Sequence, residues 1–169
     1  MRHMSGATLA VSLLLLFVIT LLGVSTIQTT QMQEKMTANL QDKERSFAAA
    51  ESALAAGEAW IQSLSTEPSV TTLCQTYPCV QERYINVNLE EQDSNWWQTR
   101  SAAYPGSLSQ IATPPRYIIE YLQFVPDSPI IGTNKQNIAG VHYYQVTARG
   151  TGSTDEAVSV LQTTVGRRF

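Results

Sequence analysis

The amino-acid sequence predicts an α+β protein: a long N-terminal helix, membrane-spanning in its first half, packed on a small antiparallel sheet. Three observations predict it. No charged side chain occurs from residue 7 to residue 33. A strongly helix-forming stretch follows, with no proline until Pro68. Near the C-terminus, residues 116–125, 141–150 and 157–165 alternate with period two and are rich in Tyr, Ile and Val, the pattern of antiparallel strands with one buried face.

The apolar run LAVSLLLLFVITLLGV occupies residues 9–24. A hydrocarbon core of about 30 Å takes about 20 helical residues at roughly 1.5 Å each, and residues 7–27 meet that length. Two ordinary explanations compete. One is a cleaved secretory signal, with Arg2 as its charged start and Gly23-Val24-Ser25 as small residues near a cut. The other is a single-pass anchor. The sequence beyond the run favours retention, because Met36, Leu40, Lys43, Phe47, Ala50, Leu54, Gly57, Ile61 and Leu64 recur in alternating steps of four and three. All but Lys43 and Gly57 are apolar. A signal peptide has no reason to continue in register into such a helix, so one helix is expected from about residue 8 to about residue 64. Glu34, Lys35, Asp42, Glu44, Arg45, Glu51 and Glu58 fall on its outer, solvated faces. Gly23 lies among Thr20, Val24, Ser25, Thr26 and Ile27 and costs about 1 kcal/mol relative to Ala in a helix interior. That stretch either yields locally under strain or lets another helix approach closely.

Arg2 alone precedes the apolar run, which favours an N-terminus inside and a C-terminal domain outside. Lys35, Lys43 and Arg45 on the far side weaken the bias, although acidic residues accompany them. The two cysteines, Cys74 and Cys79, enclose four residues including Pro78. They suit one short disulfide in an oxidising compartment, with free thiols as the alternative. A zinc site would need more ligands than His3 and His142 can supply, so no metal is expected.

After Pro68 the composition changes. Residues 65–115 read as a variable loop with a strand-like run at 80–89, and Trp96-Trp97 and Pro114-Pro115 mark a part that packs down. Residues 126–140 form a longer connection and 151–156 a hairpin turn. The helix is expected to lay Phe47, Leu54, Ile61 and Leu64 on the apolar face of a three- or four-stranded sheet, completing its core.

No catalytic constellation is present: there is no P-loop, G-x-S-x-G, H-E-x-x-H or dinucleotide fingerprint. His142, beside two tyrosines in a strand, reads as a packed or surface histidine. Glu90, Glu91 and Asp93 read as solvated. The net charge of −3 gives no reason to expect nucleic-acid binding. The expectation is a non-enzyme without a cofactor.

The start Ser5-Gly6-Ala7-Thr8-Leu9-Ala10-Val11-Ser12-Leu13-Leu14-Leu15-Leu16, followed by FVITLLGVSTIQTTQMQEKMTANLQDKERSFAAAESALAAGE, resembles the class III signal and helix of type IV prepilins. Among them it most resembles PilX-type minor pilins, strongly over residues 5–60 and moderately over 140–169. The resemblance implies a prepilin peptidase cut between Gly6 and Ala7, with methylation of the Ala7 amine. It then divides the chain into a leader (1–6), a transmembrane and assembly helix (7–30) and a periplasmic pilin-like domain (31–169). That domain comprises the helix's second half (31–64), the variable loop (65–115) and the sheet (116–165). It also implies a bacterial inner-membrane protein that later enters a pilus fibre, and a role in priming assembly with other minor pilins, the major pilin and a tip adhesin. One departure matters: the fifth mature position, usually Glu in pilins, is Val11. A subunit without that carboxylate suits the filament tip, unless sequences of this type simply tolerate an apolar residue there. A displayed interaction subunit that governs adhesion or aggregation through residues 65–115, and an unrelated single-pass membrane protein, are the other readings.

Overall fold

The computed structural model describes residues 5–85, 87–127 and 139–169, with side chains from Thr8 onward. The chain divides into two compact units, Met1–Gln41 and Asp42–Phe169. Helix α1, Ser5–Ser63, supplies the described part of the first and opens the second. There follow β1 (Val70–Thr71), β2 (Val80–Glu82), a 3-10 turn (Leu89–Glu91), α2 (Ser94–Arg100), β3 (Ala102–Ala103), β4 (Arg116–Pro126), β5 (Gly140–Thr151) and β6 (Val158–Arg167). The expected long helix and three long strands are therefore present, within a few residues of their sequence-based bounds.

The sheet departs from the expectation in strand number and in pairing. It has six strands in the order β1-β2-β4-β5-β6, with β3 also on β4. The β4–β5 and β5–β6 pairs are antiparallel, whereas β1–β2 and β2–β4 are parallel. β2 returns to β4 by a crossover containing the 3-10 turn and α2, the kind of long connection that lets two strands run parallel. Residues 65–115 are accordingly not one loop. The run expected at 80–89 shortens to Val80–Glu82, since the Tyr84 N–H leaves the ladder and donates to Glu120 Oε1 at 2.7 Å. Most of the expected connection at 126–140, residues 128–138, lies outside the described residues.

In the second unit, α1 buries Ser46, Ala49, Ala50, Ala53, Gly57 and Ile61. Ala53 and Ile61 share a core with Val80, Ala102, Tyr117, Ile119, Tyr144, Val146 and Ala148. The expected seam was partly displaced. Ile61 is buried and Leu54 and Leu64 are half-buried, but Phe47 is 51% exposed. The reason is distance: a Cβ on Gly150 would lie 2.3 Å from Ala50 N, so the sheet backbone meets the helix backbone where only small side chains fit. Lys43, also placed on that seam, is exposed and donates to the Val158 carbonyl, and Ser46 Oγ bonds Ser159 Oγ at 2.7 Å.

The opposite sheet face is covered by the crossover. Trp97 is fully buried against Leu89 and Ile118, and its indole N–H donates to the Leu89 carbonyl at 3.3 Å. Trp96 is half-buried at the rim, edge-on to Tyr84. Asp93 caps α2, accepting the Trp96 N–H at 2.7 Å, so it is a structural carboxylate, while Glu90 and Glu91 are exposed. Arg116 donates to the carbonyls of Trp97 and Gln98 at 2.9 and 3.0 Å, holding the last turn of α2 against β4.

Candidate functional site

Within the first unit, α1 presents an unbroken apolar surface. Leu9, Val11, Leu13, Leu14, Leu15, Leu16, Phe17, Ile19, Leu21 and Leu22 are all exposed, and the helix is long and apolar enough to cross a membrane. Burial of a Leu or Phe side chain is worth about 1.5–3 kcal/mol, so a surface of this size is suited to lipid or to packing against other helices. Its hydroxyls do not spoil it. Ser12 donates to the Leu9 carbonyl at 2.9 Å, Thr20 to Phe17 at 2.8 Å, Thr26 to Leu22 at 2.9 Å and Thr29 to Ser25 at 3.0 Å. Each of these four hydroxyls thus closes on its own helix, as an apolar surrounding requires. The helix runs unbroken through Gly23, where an added Cβ would meet nothing within 4 Å.

Gly6 and Ala7 lie in the first turn of α1 by backbone, and Arg2 and His3 lie outside the described residues. Val11 stands one turn further along, 59% exposed. The three positions singled out in the sequence, Gly6, Ala7 and Val11, therefore share the start of one helix, remote in sequence from the cysteine loop.

Residues 5–55 match the PilX N-terminal family model. The match supports a PilX-type pilin. No curated protein and no solved structure matches the chain. The similarity over residues 5–55 supports a minor-pilin role in the type IV pilus. It points to a structural rather than enzymatic protein that interacts with other pilus components. With the long apolar helix, it supports membrane anchoring and a pilus location.

The second unit carries two local fasteners. Cys74 and Cys79 form a disulfide, with Cα atoms 6.2 Å apart. It closes the chain between β1 and β2, and Cys74 is nearly buried. Nothing in the sequence singled out the second fastener, Asp42. Its carboxylate accepts the Thr154 hydroxyl at 2.7 Å and the Ser153 N–H, clasping the β5–β6 turn to α1. Arg45 adds a bond to Ser153 Oγ at 2.6 Å. His142 sits half-buried among Phe124, Tyr121 and Phe169, its Nδ1 3.2 Å from Glu67 Oε1, a packed histidine as expected.

The Thr154 hydroxyl and the Ser153 N–H hold the Asp42 carboxyl below its ordinary range. A carboxyl whose folded pKa is depressed contributes stability above its unfolded pKa and loses it as pH falls through the folded value. Thermal melts of the full chain and of Asp42→Asn, taken from neutral pH downward, should show the wild type ahead at neutral pH. Its advantage should shrink below about pH 4, the unfolded carboxylate value. A gap that stays constant with pH would show that the charge of Asp42 contributes nothing.

Proposed function

We propose that this chain is an assembly-priming minor pilin placed at or near the tip of a type IV pilus. Prepilin peptidase cuts it between Gly6 and Ala7 and methylates the new amine. The mature protein waits in the bacterial inner membrane, N-terminus inside and residues 31–169 in the periplasm, and then enters the fibre with other minor pilins, the major pilin and a tip adhesin.

The observation that carries this reading is Val11. A charged amine at the head of an apolar helix is costly in hydrocarbon unless a carboxylate meets it. A glutamate at the fifth mature position neutralises the amine of the adjoining subunit, and valine cannot. A subunit without that carboxylate fits the place where no earlier subunit's amine needs neutralising, which is the first place in the filament.

A strain lacking the gene tests it. Loss of surface pili, with pilins retained in the membrane, is the expected result. Pili at normal number combined with lost cell aggregation would overturn priming and favour a subunit displayed along the fibre.

A further inference from the structure

The sheet face turned away from α1 carries a polar band. Glu120 pairs across β4–β5 with Gln145 and across β2–β4 with Gln81, and Thr147 stands opposite Gln162. Over this band the crossover leaves a cavity of about 280 Å³, lined by Arg83, Tyr84, Leu89, Glu120, Gln145 and Gln162 among others.

Glu120 is the group that makes the cavity unusual. Its residue is only 3% exposed, although a charged carboxylate is rarely buried without a partner. One oxygen, Oε1, accepts the Tyr84 N–H at 2.7 Å. Among the described residues no donor reaches Oε2, and no cation lies within ion-pair distance. Burial pushes its carboxyl up, opposed by the Tyr84 N–H and by the charge of Arg83. The Gln145 amide also has no hydrogen-bond partner among the described residues. Gln162 donates to Thr147 Oγ1 at 3.0 Å, which leaves its own oxygen free to accept.

The charges in the wall select the ligand class. A cation suited to Glu120 would meet the Arg83 guanidinium, and an anion suited to Arg83 would meet Glu120 and Glu90. A neutral molecule that both donates and accepts can satisfy carboxylate, guanidinium and amides together. Tyr84 and Leu89 add apolar wall beside the polar floor. The volume is at the bottom of the roughly 300–1,000 Å³ range of ligand sites, so the room is for one small ring. We propose that this cavity binds a single neutral sugar ring, a terminal pyranose of a glycan. The proposal is independent of the priming role, because it concerns what the folded domain can hold once displayed.

Saturation-transfer NMR on the full chain in phospholipid nanodiscs tests it, with methyl glucoside, methyl galactoside and methyl N-acetylglucosaminide as probes and propylammonium and acetate as controls. Transfer to at least one glycoside is expected, with millimolar affinity. It should weaken about tenfold or more in Glu120→Gln, in line with the loss of a charge-assisted hydrogen bond. Gln145→Ala, which removes a half-exposed side chain that bonds nothing else, should weaken it too and keeps the test valid if the Glu120 variant misfolds. Silence from every glycoside, transfer unchanged in Gln145→Ala, or transfer to propylammonium or acetate alone would each overturn the proposal.

Discussion

Gly150→Val is expected to unfold the Asp42–Phe169 unit at ordinary temperatures or to lower its melting midpoint by about 10 °C or more. A Cβ at this position would stand 2.3 Å from Ala50 N, 2.5 Å from Ser46 O and 2.9 Å from Ala49 C. All three are backbone atoms of α1, so no rotamer change can relieve the contact. The helix would have to lift off β5 and open the core around Ala53, Val146 and Ala148. Typical overpacking costs about 1–3 kcal/mol where side chains can yield, and here they cannot, so the upper end is the floor. Gly57→Ala is a graded comparison. Its Cβ would meet Val146 Cγ1 at 2.6 Å and Tyr117 Cδ2 at 3.0 Å, both side-chain atoms. Some adjustment is open to them, and a smaller loss is expected. Gly23→Ala meets nothing within 4 Å and should leave the melt of this unit unchanged. Near-ultraviolet circular dichroism, which reads the packing of buried Trp97 and Tyr144, measures all three. A Gly150→Val protein that melts like wild type would show that the helix and sheet do not approach this closely.

The same contact explains why the helix was legible in the sequence and its buried face was not. A long apolar run, strong helix formers and no proline before Pro68 suffice to place α1. A heptad count, however, marks the large apolar residues, whereas the sheet selects for small ones. Ser46, Ala49 and Ala50 are buried where the backbone of Gly150 in β5 meets the helix, and Phe47 is turned outward. The three long strands were legible because ten or so residues are enough to show period two. Strands of two or three residues, such as β1, β2 and β3, show no period at all, and a parallel pairing between them depends on the path of the crossover. Glu120 illustrates the same limit at a site. In RYIIEYLQFV it reads as the solvent-facing residue of an alternating strand, and only the packing of the 3-10 turn and α2 over that face buries it. The roles proposed for Gly6, Ala7 and Val11, by contrast, rest on the linear sequence alone: a glycine, then the start of an apolar helix that has valine where pilins usually have a carboxylate.

Replacing Gly6 by a bulky residue, Gly6→Leu, should abolish entry of this chain into pili. Removing the leader changes more than length. The uncut chain keeps Arg2 ahead of the apolar helix, and a charged side chain taken into apolar surroundings costs about 2.5–3.5 kcal/mol even by the mildest scale. In the membrane Arg2 can remain at the interface, so the precursor stays anchored and folded. A filament core offers no such interface, because the exposed apolar surface from Leu9 to Leu22 must there pack against other helices along its full length. The proposed cut would leave Ala7, small and apolar, at the head of that surface. Intact-mass measurement of the membrane-extracted protein should find the wild type beginning at Ala7 with one added methyl group, and Gly6→Leu still carrying its leader. Purified pili should contain the first and lack the second. A wild-type chain that begins at Met1, or one cut near Ser25, would remove the basis for both the pilin processing and the tip role of Val11. Gly6→Leu processed normally would place the cut elsewhere, and Val11 would then no longer be the fifth residue of the mature helix.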